Sequence, residues 1–142
     1  ARIGQLGLQS RVTLTGGLPH EEVLRRMAQS DLFVLPSWGE GYGIVYIEAM
    51  AAGCIAVGAE NEGIADTITD GENGFLVPAG DTDAVERVMR AVFAHPEAYE
   101  ALRARGMRDA RELTWAHNAE ITAGVYREAM EHWRKEHAQA GH

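Results

Sequence analysis

The sequence predicts an α/β domain, a Rossmann-like parallel sheet with flanking helices. Three observations carry that expectation. Short apolar or β-branched runs alternate with longer segments of helical periodicity. The run from Asp31 to Leu35 is nearly continuous in apolar residues, as a strand buried on both faces requires. Glycine, proline, Asn and Asp cluster between the runs, where a crossover has to turn.

Taken in order, Arg2 to Gly7 reads as the tail of a helix with no strand in front of it. Val12 to Thr15 is a β-branched strand ended by Gly16-Gly17. A helix from Glu21 to Gln29 follows, entered through Pro19, with Val23, Leu24 and Met27 on one face. Asp31 to Leu35 is the second strand, stopped by Pro36. Beyond the turn at Gly39 to Gly43, a helix runs from Ile44 to Ala52 and Gly53 closes it. Ile55 to Val57 is the third strand. Gly63 to Ile68 allows a short helix, and Asp70-Gly71 with Asn73-Gly74 turns the chain into a fourth strand, Phe75 to Val77.

Asp81 is the expected N-cap of a helix from Asp83 to Ala94, with Pro96 just past its end. Two more helices are expected, about Glu97 to Leu113 and Ala116 to Glu136. A doubly wound sheet usually begins with a strand, so at least one βα unit is expected ahead of residue 1. Residues 1–142 are accordingly read as one partial domain.

Composition narrows the function classes. A chain of 142 residues, 46% hydrophobic and 24% charged, supports one ordinary core and argues against disorder. Its net charge of -8 opposes nucleic acid as a partner, since that requires Lys and Arg to replace condensed counterions. The same charge opposes an anionic membrane surface. No stretch approaches the roughly 20 apolar residues of a membrane span, and the N-terminus has no signal-peptide pattern. A single cysteine, Cys54, excludes an internal disulfide and any multi-Cys metal site. It fits a reducing, cytoplasmic location.

The segment that points to chemistry runs from Pro36 to Gly53, PSWGEGYGIVYIEAMAAG. In open α/β sheets, ligands bind at the carboxyl ends of strands, where loops enter helix N-termini. Gly39, Gly41 and Gly43 lie in such a loop and let backbone N–H groups approach a ligand. The helix dipole places partial positive charge there, which suits a phosphate. Glu40 stands inside the loop, and Glu48 stands about one turn into an otherwise apolar helix. Carboxylates at those places accept hydrogen bonds from vicinal hydroxyls of a ribose or sugar ring. The competing reading makes Glu48 a solvated position and Glu40 an acid that complements the dipole.

These residues resemble a known motif. Pro36-Ser37, Glu40-Gly41-Tyr42-Gly43 and Glu48-Ala49-Met50-Ala51-Ala52-Gly53 look like the E-x7-E signature of the family 4 (group 1) glycosyltransferases, which have the two-domain GT-B fold. Gly7-Leu8, Arg11-Val12 and Gly16 match further landmarks in order. So do Asp70 to Pro78 with Gly80-Asp81, Thr114-Trp115 and Val125-Tyr126-Arg127.

The resemblance implies a C-terminal donor-binding domain whose N-terminal acceptor domain is absent. It implies transfer from a UDP- or GDP-sugar with retention of configuration, without a metal or other cofactor. Glu40 is the implied catalytic residue and contacts donor-sugar hydroxyls, while Glu48 binds the ribose. The backbone at Gly41, Tyr42, Gly43 and Ile44 faces the sugar and diphosphate, Ser37 is a further donor-binding residue, and Gly16 to Leu18 lies close to the base. Acceptors would be glycans, lipid-linked or small molecules, reached through the missing domain. That domain would also supply any peripheral contact with the inner face of a membrane. The basic pair that grips the diphosphate belongs ahead of residue 1, so the isolated chain is expected to bind donor weakly and to be inactive.

Two departures stand out. Gly53-Cys54-Ile55-Ala56-Val57 replaces Gly-x-Pro-Val-Val, and Glu62-Gly63-Ile64-Ala65-Asp66 replaces Gly-Gly-Ile-Pro-Glu. Two other functions share the ligand contacts: a non-catalytic nucleotide-sugar-binding regulatory module and a sugar-nucleotide epimerase.

Several residues read as structural. His20, His95, His117, His132, His137 and His142 are scattered without a nucleophile partner and are expected in surface or capping roles. Cys54 reads as a small buried hydrophobe. Trp115 is expected to pack at the start of the last helix, and Trp38 lies inside the motif loop.

Overall fold

Three short parallel strands form the sheet in the order β1 (Leu32–Val34), β2 (Ile55–Ala59), β3 (Phe75–Val77). The computed structural model describes residues 2–39, 41 and 43–139. Leu32 stands beside Ile55 and Val34 beside Val57, while Val57 pairs with Phe75 and Ala59 with Val77. The central strand, β2, is buried along its whole length, which explains its run of small and β-branched residues.

Val12 to Thr15 is not a strand. A strand persists only where a neighbour completes its ladder. Among the described residues neither edge of the sheet pairs with this segment, and Val12 and Leu14 stay exposed. The expected four strands are therefore three.

The helices follow the expected order with shifted ends. They are α1 (Arg2–Gln5), α2 (His20–Met27), α3 (Ile44–Ala52), α4 (Thr82–Ala94), α5 (Glu100–Glu112) and α6 (Trp115–Gln139). Pro19 opens α2, whose first-turn acids and last-turn arginines both complement the helix dipole. Asp81 caps α4 as expected, its carboxylate accepting the Ala84 N–H at 2.9 Å. The short helix expected over Gly63 to Ile68 is a 3-10 turn, Gly63–Asp66.

The helix expected from Glu97 splits into a 3-10 turn at Pro96–Tyr99 and α5 proper. At the junction Tyr99 takes φ -108°, ψ 4° and meets Phe75 edge to face at 5.8 Å. Thr114 caps α6 by accepting the His117 N–H at 3.1 Å. Trp115 opens that helix but is 83% exposed, so the expected packing is absent; the nearby residues Leu113 and Ile121 are exposed as well.

The core lies on both faces of the sheet because successive strand residues alternate. On one face Tyr46 and Met50 of α3 pack with Ala56, Ile64, Ile68 and Ala110. On the other, Ala84 and Val92 of α4 cover Val57, Val77 and Ile55. α3 is pressed between the sheet, α2 and α5, which is why it is apolar almost all round. The buried Asn73 ties the 67–73 turn to α5: its side-chain amide donates to Asp109 at 2.8 Å and to the Thr67 carbonyl.

Candidate functional site

Three loops meet at the carboxyl ends of the strands: 35–43 after β1, 60–66 after β2, and 78–81 after β3. Contacts among the described residues join them. The Gly39 N–H donates to a Glu62 carboxylate oxygen at 3.1 Å. The Trp38 ring lies over Gly80, so closely that a Cβ there would stand 2.8 Å from it.

The far end of the first loop is fixed by α3. Gly43, its N-cap, is buried in the left-handed region at φ 72°, and a Cβ at that position would come within 2.9 Å of the Tyr46 ring. Tyr46 is fully buried, meets Phe33 edge to face at 5.4 Å, and donates its hydroxyl proton to the Leu35 carbonyl. One ring thus ties the end of β1 to the start of α3. Among the described residues no side chain caps this helix, and its first turn holds no acid. Its N-terminal partial charge is left for a ligand to complement.

Several of the residues singled out in the sequence lie on the first loop and on α3. Ser37 is half-buried and donates its N–H to the Leu35 carbonyl at 2.9 Å. Gly41 is exposed in the loop, and Ile44, half exposed, is the first residue of α3. Glu48 lies four residues along the same helix, about 6 Å further by helical rise. Its half-buried carboxylate stands 3.4 Å from His20 Nε2. Gly16 and Leu18 line a cavity of about 280 Å³ with Val23, Phe33 and Cys54, and Leu18 is two residues from the His20–Glu48 contact. Glu40 and Tyr42 lie outside the described residues.

Two participants carry no site role in the sequence reading. His20 was expected to be a surface or capping residue; it is largely exposed, yet it partners Glu48 from the first position of α2. Glu62 was noted only as a departure from a glycine-rich pattern. Neither has a spacing signature, because each contact joins distant parts of the chain.

Cys54 is buried as expected, its thiol donating to the Met27 carbonyl at 3.0 Å. Burial pushes its pKa up, which keeps it protonated and unreactive. Among the described residues no three His, Cys, Asp or Glu side chains converge as a metal-binding group. No helix among them is long and apolar enough to cross a membrane.

Comparison with known proteins adds to this geometry. D-inositol 3-phosphate glycosyltransferase of Nocardia farcinica is 30% identical over 137 residues, 96% of this chain and 30% of the relative. The GDP-mannose-dependent alpha-(1-6)-phosphatidylinositol monomannoside mannosyltransferase of Mycolicibacterium smegmatis is 33% identical over 108 residues, 71% of this chain and 28% of its own. Sucrose-phosphate synthase from Thermosynechococcus elongatus superposes with a TM-score of 0.78 at 28% identity, covering 92% of this chain and 33% of that one. The chain thus spans about 30% of the length of the curated relatives it matches. Its layers are those of the C-terminal domains of GT-B glycosyltransferases. The family described as "Glycosyl transferases group 1" matches residues 1–109, and the chain belongs to it.

Proposed function

We propose that this chain is the donor-binding domain of a retaining glycosyltransferase that uses a UDP- or GDP-sugar. The observation that supports this reading furthest is Glu48, held one turn inside an uncapped helix N-terminus at the carboxyl ends of parallel strands. In this reading the start of α3 faces the diphosphate and Glu48 accepts hydrogen bonds from the ribose hydroxyls. Glu40 holds the sugar, Ser37, Gly41, Tyr42 and Gly43 line the path between them, and Gly16 to Leu18 lies against the base. The mannosyltransferase relative is named for GDP-mannose, which keeps guanine beside uracil as the candidate base.

Transfer then needs no protein nucleophile. Backbone N–H groups and the helix dipole stabilise charge on the departing diphosphate, and that phosphate assists the incoming acceptor hydroxyl. The domain works without a metal, alongside an N-terminal domain that presents a glycan, lipid-linked or small-molecule acceptor. The reaction belongs in the cytoplasm, where nucleotide sugars are the donors.

The test is product stereochemistry. Full-length protein incubated with UDP-glucose or GDP-mannose and a hydroxyl acceptor that it glycosylates should release nucleoside diphosphate and give an α-glycoside, read by the anomeric proton in NMR. The isolated 142 residues should show little or no turnover. A β-linked product overturns retention. Tight binding without turnover by the full-length protein favours a regulatory binding module instead.

A further inference from the structure

We infer that Glu62 is a positioning residue for the loop that carries Glu40. The inference rests on the reading of Glu40 as the donor-sugar contact.

Glu62 is placed by a rigid base. Ile64, two residues on, is fully buried, and its side chain packs under two glycines. A Cβ at Gly58 would lie 2.8 Å from the Ile64 Cγ2, and one at Gly43 would lie 3.4 Å from its Cβ. The 3-10 turn is therefore wedged between the end of β2 and the start of α3. Just ahead of it Asn61 takes φ 62°, the only non-glycine residue with positive φ among those described. Strain of that kind persists only where the surroundings over-determine it, and here it directs the chain so that Glu62 reaches across to the first loop.

What Glu62 reaches is the Gly39 N–H at 3.1 Å, the backbone donor immediately before Glu40. Beyond Glu40, the loop is fixed again at Gly43 by Tyr46 and Ile64. On the other side, Trp38 rests on Gly80. The Glu62 carboxylate is thus a polar contact between the 60–66 loop and the first loop. It fixes the backbone at Gly39, the residue that leads into Glu40 in the sequence. A misplacement of about 1 Å is enough to cost two orders of magnitude in a reaction that depends on orientation.

The experiment compares full-length wild type, Glu62→Ala and Glu62→Gln. Each is titrated with UDP and UDP-glucose, and with GDP and GDP-mannose. Hydrogen exchange of the Gly39 amide is followed alongside. Glu62→Ala should speed Gly39 exchange and weaken the preferred sugar nucleotide about tenfold, with its free nucleotide bound as before. Glu62→Gln, which keeps an oxygen acceptor, should recover most of both. Unchanged Gly39 exchange in Glu62→Ala overturns the inference, as does an equal loss of nucleotide and sugar nucleotide. A wild type that binds sugar nucleotide no more tightly than free nucleotide overturns the sugar-contact role of Glu40, and this inference with it. A wild type that discriminates while Glu62→Ala discriminates equally overturns this inference alone.

Discussion

Glu40→Ala in the full-length protein should lower kcat/KM for the preferred nucleotide sugar about a hundredfold or more, roughly 3 kcal/mol of transition-state stabilisation. The reason lies in what a carboxylate can offer a sugar whose anomeric carbon gains positive charge as the diphosphate leaves. Hydrogen bonds to its hydroxyls, fixed before the reaction, orient the ring and favour the charged species over the ground state. Most of the loss should therefore appear in kcat, with affinity for the free nucleoside diphosphate unchanged. Steady-state kinetics with a saturating acceptor read both numbers. Turnover undiminished in the variant would remove Glu40 from the mechanism.

The second large effect is on stability. Tyr46→Ala should destabilise the domain by about 4 kcal/mol, within the range for removing a buried aromatic ring. Tyr46 is fully enclosed, meets Phe33 edge to face, and bonds the Leu35 carbonyl. Its loss opens a cavity under Gly43 and Gly58 and leaves the Leu35 carbonyl without that partner. Tyr46→Phe keeps the ring and gives up only the hydroxyl, at about 1 kcal/mol. Chemical denaturation of the three proteins measures the series. A cost for Tyr46→Ala no larger than that of Tyr46→Phe would show that the ring is not what holds β1 to α3.

Much of the fold was legible because local chemistry and tertiary position agree. The apolar run at Asp31 to Leu35, the helix closed by Gly53 and the Asp81 cap each fall where the residues alone put them. Val12 to Thr15 shows where that agreement ends: β-branched residues favour extended backbone, but a ladder needs a second strand, which a local pattern does not supply. Trp115 makes the same point for burial. Its size marks it as something to be covered, while its surroundings leave it exposed.

The candidate site was legible in part for a similar reason. The glycines and acids of Pro36 to Gly53 lie in one segment, so their spacing is visible. Glu62 and Gly39 are 23 residues apart and meet only because β1 and β2 are neighbours in the sheet. His20 and Glu48 meet only because α2 packs on α3. Contacts set by topology leave no periodicity to read.

In the proposed reading the start of α3 and Glu48 form the nucleotide end of a sugar-nucleotide site. Calorimetric titration of full-length protein and its Glu48→Gln variant with a set of UDP- and GDP-sugars tests it most directly. Recognition of the ribose, common to every donor, predicts that the substitution weakens all that bind by a similar factor, roughly 1.5–3 kcal/mol for a hydrogen bond to a charged group. Loss confined to some sugars, with others bound as before, would contradict it and move Glu48 to the glycosyl end.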